Sequence, residues 1–164
     1  MSFSLRPKYV IKSLLDLTPQ MLKDRGIELL ILDLDNTISP YGEKLPSEKV
    51  LKWTEDMKKG GIKLYIVSNS KKVRPDVFAK EMDIPFVKRA KKPSPKFIQK
   101  AMEDMNISAE KTALAGDQIF TDTLGANLAG VSSILVEPIK FTNVFLRLRY
   151  YGEMPFRKMY KNKL

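Results

Sequence analysis

The 164-residue chain contains no cysteine and no histidine. These two absences exclude disulfides, thiolate zinc sites, cysteine-based phosphatases, Ser-His-Asp triads and phosphohistidine chemistry. Any reaction must run on carboxylates, hydroxyls and amines, with a hard, oxygen-preferring cation as the compatible metal. Lack of cysteine is also compatible with the cytosol. No apolar run approaches the roughly 18 residues of a membrane span. The opening stretch MSFSLRPKYVIKSLLDL is broken by Arg6, Pro7, Lys8 and Lys12, so it does not read as a secretory signal. Acidic residues are outnumbered, 19 against 29 Lys and Arg, and the net charge of +10 points to a polyanionic neighbour: nucleic acid or an anionic membrane surface.

What is present is the make-up of a soluble globular protein, 43% apolar and 29% charged, with the length of one domain. Short apolar runs at 27 to 33, 62 to 68, 84 to 87, 112 to 115 and 132 to 136 predict five strands. Between them, residues 46 to 59, 75 to 82, 95 to 105 and 121 to 129 carry helical spacing with Pro or Gly punctuation. Such alternation predicts a doubly wound α/β three-layer sandwich, its five-stranded sheet mainly parallel, over a core from about 26 to 138. Residues 1 to 25 are expected to hold an amphipathic helix with Val10, Ile11, Leu14, Leu15, Leu17, Met21 and Leu22 on it. Packing of that helix on its own domain is favoured over a membrane anchor.

The stretch ELLILDLDNTISP, residues 28 to 40, drives a buried run into Asp33 and Asp35. If the strand persisted, both carboxylates would leave it on one side. At a separation of about 6 Å and an effective dielectric of about 20, they would repel by roughly 3 kcal/mol. Some compensating charge is required. Three further polar groups follow later strands: Ser68-Asn69-Ser70, Lys91-Lys92-Pro93-Ser94-Pro95, and Gly116-Asp117 with Asp122 five residues on. In doubly wound sheets these positions share the crevice beyond the carboxyl ends of the strands. Together they suit phosphoryl transfer, which needs a nucleophile, a proton donor, charge neutralisation and donors for the phosphoryl oxygens. A carboxylate is already ionised at neutral pH, so an aspartate nucleophile needs no histidine.

Taken one at a time, each group has a plainer reading as turn, cap or surface charge. Asp33 and Asp35 alone read equally well as caps, and most of the cluster Lys88, Arg89, Lys91, Lys92 and Lys96 reads as solvated. The ordered set is what carries the specific reading. DLDNT, a Ser after the second strand, a Lys-Pro before a helix, and GDQIFTD resemble the four motifs of the haloacid-dehalogenase-like phosphatase superfamily. The resemblance implies that Asp33 is the nucleophile, forming an aspartyl phosphate, and that Asp35 is the general acid and base. It implies that Ser68 binds a phosphoryl oxygen and that Lys92, preferred over Lys91 for standing directly before proline, contacts Asp33 and the phosphate. Mg2+ would be held by Asp33, Asp35, Asp117 and Asp122, the last through a bound water, with Thr37 and Asn69 in substrate-binding or orienting roles. Neither the gap from Thr37 to Ser68 nor that from Ser70 to Lys91 leaves room for a cap domain, as in the capless subclass IIIA.

Within that subclass, DLDNTI, VSNS, AKKPSP and GDQIFTD resemble the bacterial relatives of mitochondrial phosphatidylglycerophosphate phosphatase. The implied substrate is a phospholipid precursor, and the implied location is cytoplasmic, with peripheral contact on the inner membrane face as an extension of it. Residues 138 to 164 hold seven Lys or Arg, one Glu and six aromatic residues, with Phe141, Phe145 and Leu148 on one helical face. At about 1 kcal/mol per basic residue, that tail supplies roughly 6 kcal/mol toward an anionic leaflet before screening. RNA phosphates would attract it equally, and a solvated tail is the plain alternative. Competing functions are a phosphatase for nucleic-acid ends, phosphoproteins or small metabolites, and a non-catalytic RNA-binding or assembly factor. A phosphorylatable receiver is disfavoured, because receivers lack an acid two residues after the acceptor aspartate.

Overall fold

In the chain's computed structural model, which describes residues 3–140 and 144–158, strands and helices alternate. The strands are β1 (Tyr9–Ile11), β2 (Leu29–Leu32), β3 (Lys63–Val67), β4 (Phe86–Val87), β5 (Thr112–Gly116) and β6 (Ser132–Val136). The helices are α1 (Pro19–Lys23), α2 (Glu48–Lys59), α3 (Arg74–Met82), α4 (Lys96–Met105), α5 (Leu124–Ala129) and α6 (Val144–Lys158). All strand pairings are parallel, in the order β1-β6-β5-β2-β3-β4. This is the doubly wound α/β architecture with six strands rather than five. No inserted cap separates the core elements, since only α2 and β3 lie between Thr37 and Ser68, and only α3 and β4 between Ser70 and Lys91.

The sixth strand lies where an amphipathic helix was expected. Tyr9, Val10 and Ile11 pair with Ile134, Leu135 and Val136 at the sheet edge. Helix cannot run through this segment, because Ser13 caps a separate 3₁₀ turn and Thr18 caps α1 with Pro19 in its first turn. The apolar residues are nonetheless used for packing. Ile11, Leu14, Leu17 and Leu22 join the core, and Trp53 Nε1 of α2 donates to the Leu17 carbonyl at 2.9 Å.

Strand alternation divides the core into two layers. Leu30 and Leu32 of β2 face α2, α3 and the N-terminal segment, whereas Leu29 and Ile31 face α4 and α5. Because both faces are covered, β2 is apolar at every position and buried throughout. From β2 the chain proceeds to β3 on one side, and later to β5 on the other. The carboxyl ends of β2, β3 and β5 therefore border the crevice where strand order reverses.

The C-terminal segment also departs from a solvated tail. It forms α6, whose Glu153 and Arg157 are buried. Phe141, Lys161 and Lys163 lie outside the described residues, as do the side chains of Phe145, Arg149 and Lys158. Among the described residues, no helix is long and apolar enough to cross a membrane.

Candidate active site

The two aspartates of the first motif do not meet the same partners, because the strand ends before the second one. Asp33 still follows the sheet, its N–H donating to the Ala115 carbonyl at 2.9 Å. Beyond it the chain reverses through Asn36, whose φ of +64° lies in the left-handed region that asparagine tolerates. The Leu34 carbonyl accepts from the N–H groups of Ile38 and Ser39, and Asn36 N–H donates to the Ser39 carbonyl at 2.8 Å. This turn buries Thr37, whose Oγ1 donates to Asp33 Oδ2 at a long 3.5 Å.

Lys92 supplies the first part of the compensating charge. Its Nζ lies 2.6 Å from Asp33 Oδ1 and 2.8 Å from Asp122 Oδ1, and all three side chains are buried. Lys91, by contrast, is exposed. Asn69 fixes the Lys92 peptide from both sides, accepting its N–H at 2.7 Å and donating to its carbonyl at 3.2 Å. In this structure the Asn69 side chain thus orients the lysine. Ser68 is buried at the end of β3, and its hydroxyl accepts the Ser70 N–H at 3.1 Å.

Asp117 and Asp122 follow β5, on and after the loop that leads into a π-helical turn, Ile119–Thr123. Asp33, Asp117 and Asp122 each offer a carboxylate oxygen, the three lying within 4.8 Å of one another. Three carboxylates against one ammonium leave two negative charges in a buried space. The donors are all oxygen, and the residual charge matches a hard divalent cation such as Mg2+. The residues present therefore fit the ion.

Burial pushes the Asp33 carboxyl up to about 7; Lys92 opposes this, while the Asp122 and Asp35 charges add to it. Burial alone would lower the Lys92 ammonium, but Asp122 and Asp33 more than offset that, so it is raised above the usual lysine range. The two shifts agree physically. Without a metal, the lysine keeps its proton and Asp33 takes one up more readily than a free carboxyl does.

Asp35 finds its counter-charge elsewhere, in Arg74 at the start of α3. The same guanidinium donates to the carbonyls of Glu43 and Pro40 at 2.6 and 2.8 Å, and stands 4.7 Å over the Phe78 ring. Arg74 thus ties Asp35 and the loop after the first motif to α3. Nothing in the motif spacing pointed to it, since an arginine beside an exposed Val73 reads as a solvated helix start. Burial raises the Asp35 carboxyl, and Arg74, Lys92 and Lys72 only partly offset this. A cleft of about 700 Å³ opens beside Asp35, lined among others by Lys44, Lys71, Lys72, Tyr41, Val73 and Val77.

Gly116 is a further requirement of the site. A Cβ there would fall 2.4 Å from Asp122 Cγ and 2.5 Å from Asp122 Cβ. Asp122 has nowhere to retreat, being held by Lys92 and by the Gln118 N–H at 3.1 Å from Oδ2. Gly116→Ala is therefore expected to destabilise the fold by about 1–3 kcal/mol, the usual cost of overpacking. Thermal melts with and without Mg2+ check this, and the ion should raise the melting temperature of the variant less than that of the wild type.

Known proteins resemble this chain in sequence and in fold. The family described as hydrolase, haloacid dehalogenase-like hydrolase, matches residues 7–130. The "Probable phosphatase YqeG" of Bacillus subtilis is 36% identical over 140 residues, which are 85% of this chain and 81% of that protein. Among solved structures, the cobalt-bound deoxy-D-mannose-octulosonate 8-phosphate phosphatase of Haemophilus influenzae superposes with a TM-score of 0.57 at 12% identity, over 76% of this chain and 75% of that one. The 3-deoxy-D-manno-octulosonate 8-phosphate phosphatase of Moraxella catarrhalis, in complex with a magnesium ion, a phosphate ion and a KDO molecule, gives 0.54 at 15% identity over 87% of this chain and 97% of that one. At these identities the structural likeness is one of fold. With the family match running from β1 to the end of α5, the chain belongs to the haloacid dehalogenase-like hydrolases, as a phosphatase of that family.

Proposed function

We propose that this chain is a Mg2+-dependent phosphomonoesterase that works through an aspartyl phosphate on Asp33, and that its substrate is phosphatidylglycerophosphate. The convergence of Asp33, Asp117, Asp122 and Lys92 in one buried cluster carries the reading, with Asp35 near enough for its charge to act on Asp33. Asp33, Asp117 and Asp122 would hold the ion, which when bound neutralises charge on the phosphoryl oxygens. Asp33 attacks phosphorus as the ester bond to the alcohol breaks. Asp35, its carboxyl raised by burial, gives its proton to the leaving alkoxide and then takes one from the water that hydrolyses the acyl phosphate. Lys92 holds Asp33 in place and offers its charge to the phosphoryl group, and the Ser68 hydroxyl, at the end of the neighbouring strand β3, would bind a phosphoryl oxygen.

Two observations favour an amphiphilic, multiply anionic substrate. The cleft beside Asp35 combines three lysines with Tyr41, Val73 and Val77, a lining suited to a phosphodiester next to an apolar body. In addition, α6 turns Val144, Leu148 and Tyr151 outward, 70%, 65% and 61% exposed, with Arg147 exposed beside them. Spaced four and three residues apart, these side chains share one helical face, which suits peripheral contact with an anionic leaflet.

A phosphate-release screen tests the reading, with phosphatidylglycerophosphate in mixed micelles compared against 5′-phosphorylated oligonucleotides, phosphopeptides and sugar phosphates. Release from the lipid, lost in EDTA and restored by Mg2+, is the expected result. Preferential release from another class would move the substrate, and release from none would favour a non-catalytic role.

A further inference from the structure

The aspartates that would hold the ion lie on a short connection between β5 and α5, which is tied locally by the Gln118 N–H to Asp122 Oδ2 and, from outside, by α6. Gln118, at the amino end of the π-helical turn, provides no side-chain cap. Its first N–H groups are satisfied from far along the chain: Glu153 Oε1 of α6 accepts from Ile119 N–H at 3.0 Å and from Phe120 N–H at a marginal 3.5 Å. One turn later on the same helix, the Arg157 guanidinium donates to the backbone carbonyl of Asp117 itself. Arg157 is held in turn by Glu153 and Glu137, each at 3.4 Å, and stacks 4.7 Å from the Tyr150 ring. Phe156 adds an edge-on contact with Phe120 at 5.9 Å.

Two charged side chains have thus been taken out of water on a helix that leaves Arg147 exposed. Burying such groups is costly unless each is paired and hydrogen-bonded. Besides pairing with each other, they bond the Asp117 carbonyl and the Ile119 and Phe120 N–H groups, between the two aspartates. We infer that Glu153 and Arg157 are positioning residues, through which the C-terminal helix sets the geometry of the Asp117–Asp122 loop and thereby the affinity of the site for its divalent cation. The inference rests on the reading that Asp117 and Asp122 hold the ion. Groups that orient metal ligands in this way typically change metal affinity by about 10–100-fold when removed.

Mn2+ binding to the full chain, followed by the electron paramagnetic resonance signal of the free ion at 25 °C, tests the inference without turnover. Glu153→Ala and Arg157→Met are expected to weaken Mn2+ by about tenfold or more. Glu153→Gln, whose amide oxygen still accepts the Ile119 N–H, should retain most of the affinity, whereas Arg157→Lys, which loses the planar fork, should fall between. Thermal melts in metal-free buffer show which variants are folded at the assay temperature. If an apolar replacement is not, Arg157→Lys decides. Wild-type Mn2+ affinity in the folded variants, with only a lowered melting temperature, would make α6 a structural strut and overturn the inference. Asp117→Asn separates the two readings. Normal Mn2+ binding in that variant would remove the proposed ion site itself, while loss there with intact binding in the α6 variants would overturn the positioning role alone.

Discussion

Asp33→Asn is expected to abolish phosphate release, by at least about four orders of magnitude, while the fold persists. The neutral amide is a poor nucleophile, and the covalent acyl phosphate cannot form. Rapid quench with a phosphorus-labelled substrate should show a labelled protein intermediate in the wild type and none in the variant. Asp35→Asn should divide the reaction differently, slowing both formation and breakdown of the intermediate by removing the proton shuttle. Retained turnover in Asp33→Asn would rule out the aspartyl-phosphate route.

The same substitution has a stability signature that runs with pH. In the metal-free protein the Asp33 carboxyl is raised from an ordinary value of 3.8 to about 7, so the native state holds a proton there that the unfolded chain has released. Stability from this group is fully present below pH 4 and is lost as pH rises through 7. The melting temperature of the metal-free wild type should therefore fall across that window, and that of Asp33→Asn should fall less. Added Mg2+ should restore more stability at pH 8 than at pH 5, because at the lower pH binding must first displace the proton.

Polar residues that follow buried apolar runs were the legible part of this chain. Asp33, Ser68 and Asp117 each stand just past a stretch whose periodicity sets it in the sheet, whereas Lys92 follows β4 by five residues and was marked by the proline after it. Strand β1 was hidden because its three residues merge into the apolar spacing of Leu14, Leu17 and Leu22. Only the successive caps at Ser13 and Thr18 betray that no single helix can span them. Arg74 and Arg157 were hidden for another reason. Each acts on a segment roughly 35 to 40 residues distant, and an arginine carries no local sign of whether its guanidinium is solvated or bound. Glu153 left a fainter trace, as the one acid in a basic tail, four residues before Arg157. Composition represented that segment as net charge, whereas the helix sorts it by face, turning Tyr150, Glu153 and Arg157 inward and Val144, Leu148 and Tyr151 toward solvent.

Lys92→Met is expected to produce the largest loss of stability, and to do so only when metal is absent. The methionine matches the length of the lysine stem, so packing is nearly conserved and the change is chiefly electrostatic. It leaves the Asp33, Asp117 and Asp122 cluster without its buried ammonium, and breaking a buried pair from one side costs about 3–5 kcal/mol. In wild type the raised Lys92 keeps its charge across the neutral range, since a lysine with a raised folded pKa loses its contribution only as pH climbs through that value. The variant should therefore be hardest to fold above pH 7, where Asp33 would otherwise ionise, and should recover toward pH 5 as protons replace the missing cation. Mg2+ should raise its melting temperature more than that of the wild type, since the ion becomes the main counter-charge for three carboxylates. Turnover should stay low even at saturating Mg2+, because the ion cannot also replace the ammonium 2.6 Å from the Asp33 carboxylate. Equal stabilisation of both proteins by Mg2+ would show that Lys92 and the ion do not share the work of neutralising this cluster.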